Sequence, residues 1–158
     1  MSEKTNAMRI LDKAGIAYHT YEYQSDGAID GISVAGKIGQ PVEKVFKTLV
    51  TQGASREYFV FVIPVAMELN LKAAAKAVGE KSVQMIKVAD INKITGYIRG
   101  GCSPVGMKKP FKTVIDSSCE GMDTIIVSAG KIGHQIELAP EVLIELIHGH
   151  TADVVVRA

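Results

Sequence analysis

The sequence predicts an α+β fold, in which a mixed, largely antiparallel sheet forms a barrel-like core with flanking helices. Helical and strand patterns are interspersed along the chain without the regular strand–helix–strand rhythm of a doubly wound parallel sheet. Several neighbouring strand segments are joined by links of hairpin length, which favours antiparallel pairing. The 158 residues suffice for one core and are too few for two, so we expect a single domain over residues 1–158.

The first part of the chain predicts a helix, a strand and a second helix. Apolar residues at helical spacing predict a helix over residues 5–13, which Gly15 ends. Alternation in AYHTYEY, residues 17–23, predicts a strand. Ser33 is placed to cap a short helix that ends at Gly39.

Two apolar runs in the middle of the chain predict a β-hairpin. They cover residues 44–52 and 58–65, and the turn-rich segment 53–57 joins them. Lys47 lies in the first run and is flanked on its strand face by apolar residues. Because an unpaired ammonium is costly to bury, this lysine either extends to solvent or binds a negative group. Its position therefore marks a candidate site.

The remaining elements follow from the same two periodicities and from capping residues. Asn70 is a favourable N-cap for one helix, and Pro140 opens another. The helices are predicted over residues 71–78, 89–95 and 140–147, and the strands over residues 83–86, 111–116, 123–128, 135–138 and 152–156.

The segment GYIRGGCSPVG, residues 96–106, is predicted to be the working part of the chain. Its four glycines and its Ser-Pro pair continue neither a helix nor an ordinary strand. Glycines let a ligand approach the backbone and let consecutive N–H groups turn toward one point, which suits an anion, a carbonyl oxygen or a ribose. The strand with Lys47 and the tight turn SAGKIG, residues 128–133, are expected to face this loop. Each segment taken alone is equally consistent with a structural role.

The composition of the chain indicates in which cellular compartment the protein is found and whether it binds a metal or a cofactor. Charges interrupt the apolar residues every few positions, no run reaches the roughly 18 residues of a membrane span, and the charged N-terminus does not fit a signal peptide. We therefore expect a cytoplasmic protein. Cys102 and Cys119 have no paired spacing and are expected to be free thiols, with no metal site and no cofactor.

The formal net charge of +1 conceals a basic segment. Residues 72–112 carry nine Lys or Arg residues against two acidic residues, a balance of +7. Basic residues grouped near a glycine-rich loop steer a phosphate-bearing partner, although solvated helix faces give the same count. The chain has no Trp and few aromatic residues, so base stacking contributes little to any nucleic-acid recognition.

The usual catalytic sets are missing from the sequence. The four histidines lack metalloprotease spacing, and there is no P-loop, no serine-hydrolase elbow and no dinucleotide-binding motif. Cys102 is a candidate nucleophile, since nearby backbone amides lower a thiol pKa, but no histidine lies beside it in sequence. Backbone donors, one well-placed lysine and a few hydroxyls remain. This inventory suits a substrate that brings its own reactive group.

Several segments, in this order, resemble the YbaK family of aminoacyl-tRNA deacylases, which is related to the editing domain of bacterial prolyl-tRNA synthetases. They are FKTLV, GYIRGGCSPVG, KKPFKTVID and SAGKIG before QIEL, and the resemblance extends from about Ala7 to Val155. It implies the YbaK/prolyl-tRNA synthetase-associated domain fold, a barrel-like mixed sheet with flanking helices. It also implies hydrolysis of the ester that joins a wrong amino acid to the 3′ end of tRNA, most typically in cysteinyl-tRNA(Pro).

The resemblance also implies roles for individual residues. Lys47 would bind near the tRNA 3′ terminus and orient the ester. Gly100 and Gly101 would shape the floor beneath the aminoacyl carbonyl, where backbone N–H groups stabilise an oxyanion. The substrate-binding residues that it implies are Tyr21, Thr48, Ser103, Ser128 and Gly130. In this family the substrate cysteine attacks its own carbonyl, so that no protein nucleophile is needed.

The sequence departs from the family pattern on the pocket wall. Cys102 stands where relatives commonly carry an aliphatic residue, the turn reads SAGKIG rather than SGGKRG, and Gln135 replaces a smaller or acidic residue. The accepted amino acid therefore stays open, with alanyl-tRNA(Pro) as the alternative substrate. A non-catalytic tRNA-binding or synthetase-binding module is the alternative function. The expected partners are the tRNA acceptor 3′ end and prolyl-tRNA synthetase, with no DNA and no membrane.

Overall fold

The computed structural model describes residues 4–25, 27 and 30–157, which form five α-helices and eight strands. The helices are α1 (Asn6–Lys13), α2 (Gly31–Ile38), α3 (Leu71–Val78), α4 (Ile91–Thr95) and α5 (Pro140–Ile147). The strands are β1 (His19–Glu22), β2 (Phe46–Gly53), β3 (Tyr58–Pro64), β4 (Val83–Met85), β5 (Lys112–Asp116), β6 (Ile125–Lys131), β7 (His134–Leu138) and β8 (His150–Ala152). None of these helices is long and apolar enough to cross a membrane.

The eight strands form two sheets. One has the antiparallel order β1-β7-β6, and the other has the order β4-β2-β3-β5-β8. In the second sheet β2 pairs antiparallel with β3 and β4, whereas β5 pairs parallel with β3 and β8. A parallel bridge between Val45 and Ile126 joins the two sheets along a line that we call the seam. The α+β class and the mixed, largely antiparallel pairing are thus confirmed, and the barrel-like core consists of two sheets that meet at this seam.

Three apolar clusters hold the helices against the sheets. The first packs α1 and α5 against both sheets, and the second packs α3 against the other face of the five-stranded sheet. The third cluster lies at the seam and consists of Ala35 from α2 together with Val45, Val65 and Ile126. Burial of one Val or Ile side chain stabilises a fold by roughly 1.5–3 kcal/mol. This small cluster therefore fixes α2 and the two sheets relative to one another.

Two capping residues decide where helices begin. Asn70 caps α3 as predicted, because its side-chain oxygen accepts a hydrogen bond from the N–H of Ala73 at 3.0 Å. The predicted cap of α2 was Ser33, and this prediction is wrong. The cap is Asp30, whose carboxylate accepts hydrogen bonds from the backbone N–H of Ser33 at 3.1 Å and from its hydroxyl at 2.8 Å. The helix therefore begins three residues earlier than a cap at Ser33 would place it, at Gly31.

The last strand also lies earlier than predicted. β8 ends at Ala152, whereas the apolar pattern predicted a strand over residues 152–156. The cause is the fully buried carboxylate of Asp116, which accepts a hydrogen bond from the N–H of Val154 at 3.0 Å. This bond takes the amide out of any strand ladder, and the following residue, Val155, forms only an isolated bridge with Leu69 among the described residues.

Candidate active site

A cavity of about 550 Å³ opens at the seam, between the two sheets. Its walls are formed by β2, by the start of α2, by the glycine loop at residues 99–102 and by the β6–β7 pair. Four of the predicted site residues line it, namely Lys47, Thr48, Gly100 and Ser128. Protein cavities that bind small ligands have volumes of about 300–1,000 Å³. The three segments singled out in the sequence therefore share one cavity of a size that suits a ligand.

The strand β2 contributes its backbone as well as its side chains to this cavity. Residues 45–49 all line it, although side chains of a strand alternate between the two faces. The reason is the strand pairing. β3 pairs with β2 along nearly its whole length, whereas on the other edge β4 pairs only with residues 51–53 among the described part of the chain. The free edge at residues 46–49 therefore presents backbone N–H and C=O groups beside the cavity.

The ammonium of Lys47 is the positive charge on this wall. Lys47 lies on β2 opposite Ile63 of β3, and no hydrogen bond or ion pair to another described residue holds its side chain. Partial burial lowers the pKa of Lys47 below its ordinary value of 10.5, and the negative charge of Glu68 opposes this shift. A partly desolvated cation without a bound carboxylate is available to a phosphate or carbonyl oxygen of a ligand.

The glycine loop packs directly on the end of β6 and on the β6–β7 turn, which is shorter than the predicted turn over residues 128–133 because β6 continues to Lys131. A Cβ atom added to Gly101 would lie 3.1 Å from the backbone nitrogen of Ile132. A Cβ atom on Gly130 would lie 2.8 Å from Cε1 of Tyr97, and Gly130 has a φ of +94°. Gly100 has a φ of +86°, which an L residue rarely adopts. These glycines are therefore required for the close approach of the two segments that form the far wall.

Two residues that line the cavity, one from each sheet, have side-chain polar atoms without a hydrogen-bond partner among the described residues. Gln135 on β7 lines the cavity and is 5% exposed, and its carboxamide makes no hydrogen bond to the described residues. The Oγ1 atom of Thr48 is also buried without a partner among them. Ser128 differs, because its Oγ accepts a hydrogen bond from the N–H of Gly130 at 3.1 Å. An unpaired buried polar group costs ~1–3 kcal/mol, and this cost applies to the sealed hydroxyl of Thr48. The carboxamide of Gln135 is not sealed in this way, so a ligand in the cavity can pair with it.

The other predicted site residues do not line the cavity. Gly101 and Gly130 form the contact behind its wall. Ser103 is fully buried, and its Oγ accepts a hydrogen bond from the N–H of Val105 at 3.2 Å. Tyr21 packs on the seam cluster, and its hydroxyl donates a hydrogen bond to Glu137.

Glu137 is the centre of a polar cluster that the sequence did not reveal as part of this region. It is 6% exposed and accepts hydrogen bonds from the hydroxyls of Tyr21 and Thr124, and its Oε2 lies 2.5 Å from the Nζ of Lys44. Burial raises the pKa of this carboxyl, but the hydrogen bonds from Lys44, Thr124 and Tyr21 outweigh burial and hold the pKa at about 2. The available signal was a charged residue inside the apolar strand QIEL.

The wall formed by α2 was also missed. Gly31, Ile32 and Val34 line the cavity, yet their short helix reads as an ordinary amphipathic element. Arg99, within the glycine loop, lines the cavity as well and was counted only as part of the basic segment. Across the described residues, no group of three or more His, Cys, Asp or Glu side chains is arranged to hold a metal ion.

Cys102 lines the cavity, but its thiol is poorly suited to attack a substrate. Burial raises the pKa of this thiol to about 11, although a hydrogen bond with Thr95 acts in the opposite direction. The thiolate is the nucleophilic form, and at pH 7 it is a negligible fraction of such a group. We expect Cys102→Ala to retain the activity that the YbaK-like segments imply to within about threefold of the wild type, because packing changes alone are modest at this size. Steady-state kinetics on cysteinyl-tRNA would check this, and a loss of about 100-fold or more would restore Cys102 as a nucleophile.

Comparison with known proteins identifies the family. The model of the aminoacyl-tRNA editing domain matches residues 31–146, which is more than half of the chain. An Enterococcus faecalis protein, provisionally named Cys-tRNA(Pro)/Cys-tRNA(Cys) deacylase EbsC, is 46% identical over 98% of this chain and 95% of its own length. The proline–tRNA ligase of Fervidobacterium nodosum is 33% identical over 94 residues, which are 60% of this chain and 16% of the ligase.

A solved structure has the same fold. It is described, again provisionally, as a trans-editing enzyme for prolyl-tRNA synthetase, and it superposes with a TM-score of 0.83 over 98% of this chain and 100% of its own. Its sequence identity is 21%, so this likeness bears on the fold alone. The family match and the Enterococcus relative carry the assignment: the chain belongs to the aminoacyl-tRNA editing domain family, as the YbaK-like segments of its sequence predicted.

Proposed function

We propose that this protein is a trans-editing deacylase that hydrolyses the ester of mischarged aminoacyl-tRNA, with cysteinyl-tRNA(Pro) as its preferred substrate. Membership of the editing family supports the reaction class, and the name of the 46% identical Enterococcus relative supports the cysteinyl substrate. The observation that carries the proposal is the seam cavity. Lys47, which has no hydrogen bond or ion pair to another described residue, lines this cavity together with Gly100, Ser128 and Gln135.

In this proposal the cavity holds the aminoacyl ester rather than attacking it. Lys47 binds an oxygen of the terminal nucleotide and so orients the ester. Backbone N–H groups at Gly100 and along the free edge of β2 stabilise the negative charge that develops on the carbonyl oxygen. The carboxamide of Gln135 offers its unpaired donor and acceptor to the amino acid.

The bond-forming group comes from the substrate. The sulfur of the substrate cysteine attacks its own carbonyl carbon, the bond from that carbon to the ribose oxygen breaks, and the thiol proton passes to the ribose oxygen. The products are a cyclic thioester and a free tRNA 3′ terminus, and water then opens the thioester to cysteine. This route agrees with a site in which the Cys102 thiol is held protonated.

Substrates that lack the thiol test this route. We expect cysteinyl-tRNA(Pro) to be deacylated and seryl-tRNA(Pro) to react ~100-fold more slowly or not at all, because a neutral hydroxyl is a far weaker nucleophile than a thiol. The measurement is release of radiolabelled amino acid from a panel of tRNA(Pro) charged with cysteine, serine, alanine or proline. Equal rates for the cysteinyl and seryl esters would contradict thiol assistance and favour a water nucleophile.

Two alternatives have distinct outcomes in the same panel. Preferential release of alanine would show that alanyl-tRNA(Pro) is the preferred substrate. A pocket discriminates between amino acids that differ by one small group by only about 1–3 kcal/mol, so this outcome is close in free energy to the proposed one. Binding of tRNA without release of any amino acid would indicate a non-catalytic module. We also propose that prolyl-tRNA synthetase is the partner that selects which tRNA the protein acts on. Addition of this enzyme to the panel should therefore increase the preference for tRNA(Pro).

A further inference from the structure

Basic residues that are close to the glycine loop in the sequence fall into two groups in the structure, and the first group lies far from the cavity. Lys112 pairs with Phe59, and Phe59 pairs with Thr51, whereas Lys47 pairs with Ile63. Lys112 therefore lies toward the hairpin end of the five-stranded sheet, away from the cavity. Lys81 lies at that end too, since the carbonyl of the next residue accepts a hydrogen bond from the N–H of Ala54 in the hairpin turn. Neither residue borders the cavity.

A second group of cations surrounds the glycine loop. Arg99 belongs to the loop and lines the cavity. The N–H of Lys108 donates a hydrogen bond to the carbonyl of Thr95 at 3.0 Å, and its Nζ donates to the carbonyl of Lys93 at 3.2 Å. The backbone of Lys131 lies against Gly101, because a Cβ atom on that glycine would be 3.4 Å from the Cα of Lys131. We call Lys93, Arg99, Lys108 and Lys131 the basic rim.

Among the described residues, only one of the four cations of the basic rim has an ion-pair partner. Lys93 pairs with Asp90 at an Nζ–Oδ1 distance of 3.4 Å. Arg99, Lys108 and Lys131 form no ion pair with any described residue. All four residues are exposed, and the sequence has no Asp or Glu from residue 91 to residue 115. A cluster of exposed cations at the mouth of a cavity raises the local potential and attracts a polyanion.

We propose that the basic rim binds the phosphate backbone of the nucleotides that precede the terminal adenosine of tRNA, and so leads the charged 3′ end into the seam cavity. This inference rests on the proposed function, because the ester must lie at Lys47 for the preceding phosphates to reach the rim. The four side chains of the basic rim are all cations, so the rim recognises charge and not base identity. It accordingly contributes affinity for tRNA and no choice among tRNAs.

The test compares charge reversal on the rim with charge reversal at the far end of the sheet. The double variant Lys108→Glu/Lys131→Glu should raise the Kd for uncharged tRNA and the KM for cysteinyl-tRNA(Pro) roughly tenfold at low salt, with kcat unchanged. The slope of log K against log salt should become shallower by about 0.7 for each phosphate that the variant no longer neutralises. Lys81→Glu carries a charge reversal of the same kind and should leave the Kd, the KM and the slope at wild-type values.

A small substrate separates the rim from the cavity. Cysteinyl-adenosine has no preceding phosphates, so the double variant and the wild type should deacylate it at equal rates. If the double variant and Lys81→Glu had equal tRNA affinities and equal salt slopes, the proposed role of the basic rim would be wrong. Deacylation at the wild-type rate in the same variants would still support the proposed function. Conversely, a rim-dependent loss of tRNA affinity in a protein that deacylates no substrate would support the rim and overturn the proposed function. Thermal unfolding of each variant verifies that these exposed substitutions leave the fold intact.

Discussion

Replacing Lys47 by alanine is expected to lower kcat/KM for cysteinyl-tRNA(Pro) by ~100-fold or more, which is the usual cost of removing one preorganised donor from the reacting group. The structural reason is that the ammonium of Lys47 has no hydrogen bond or ion pair to another described residue, so its charge is available to the substrate. Steady-state deacylation kinetics, with purified variants at saturating and limiting tRNA, would measure the effect on kcat and on KM separately.

The same substitution should leave the fold intact. Because partial burial lowers the pKa of Lys47, the folded state binds this proton less tightly than the unfolded chain, and the charge does not stabilise the fold. Lys47→Met, which keeps most of the side-chain volume, should therefore unfold at the wild-type temperature or slightly above it. Lys47→Arg keeps the charge with a different geometry and should recover only part of the activity. Wild-type kinetics in Lys47→Ala would remove this residue from the site.

Removing the Glu137 carboxylate is the change with the largest expected effect on stability. Glu137→Ala should lower the free energy of unfolding by about 3–5 kcal/mol, because it leaves the ammonium of Lys44 and the hydroxyls of Tyr21 and Thr124 without their common acceptor. Urea unfolding would measure the loss. Glu141→Ala is the matched control, since that carboxylate is exposed on α5, and a change of less than about 0.5 kcal/mol is expected there. A similar result for the two variants would contradict the proposed importance of the cluster.

The pH dependence of stability has a defined sign at Glu137. Its pKa of about 2 in the folded protein lies below the ordinary value of 4.5, so the folded state favours the ionised form. The resulting stabilisation, roughly 3 kcal/mol, is present above pH 4.5 and is lost as the pH falls toward 2. Glu137→Gln cannot ionise, and its stability should vary less than that of the wild type between pH 4.5 and pH 2. Parallel pH profiles would assign the acid sensitivity to other carboxylates.

Elements with local signals were predicted well from the sequence. The helices α3 and α5 begin at the predicted residues, because Asn70 and Pro140 act within one turn of their own position. They also end at the predicted residues, and in α3 the cause is Gly79, which adopts the left-handed conformation. The last strand was predicted too late in the chain, because the buried carboxylate of Asp116 accepts a hydrogen bond from the amide of Val154, 38 positions away in the sequence. No periodicity in a strand records such a contact.

The site was predicted in part for the same reason. Lys47 stood out as a charge on an apolar strand, and the glycine loop stood out by composition, so two of the cavity walls could be read from the sequence. The contribution of α2 depends on how a short helix packs across the seam, and the free edge of β2 depends on where β4 stops pairing. Both are consequences of tertiary structure, and neither leaves a pattern in the residues themselves.

The seam also governs how wide the binding space can be. Val45 and Ile126 meet across it, and each stands two residues before a residue of the opposing cavity walls, Lys47 and Ser128. The distance between those walls is therefore set in part by a hydrophobic contact and not by the polar groups that hold the ester. Exchange of a methyl group at Val45 or Ile126 would rescale the space offered to an amino acid, and selectivity among small amino acids could diverge in evolution without any change in the chemical groups that hold the ester.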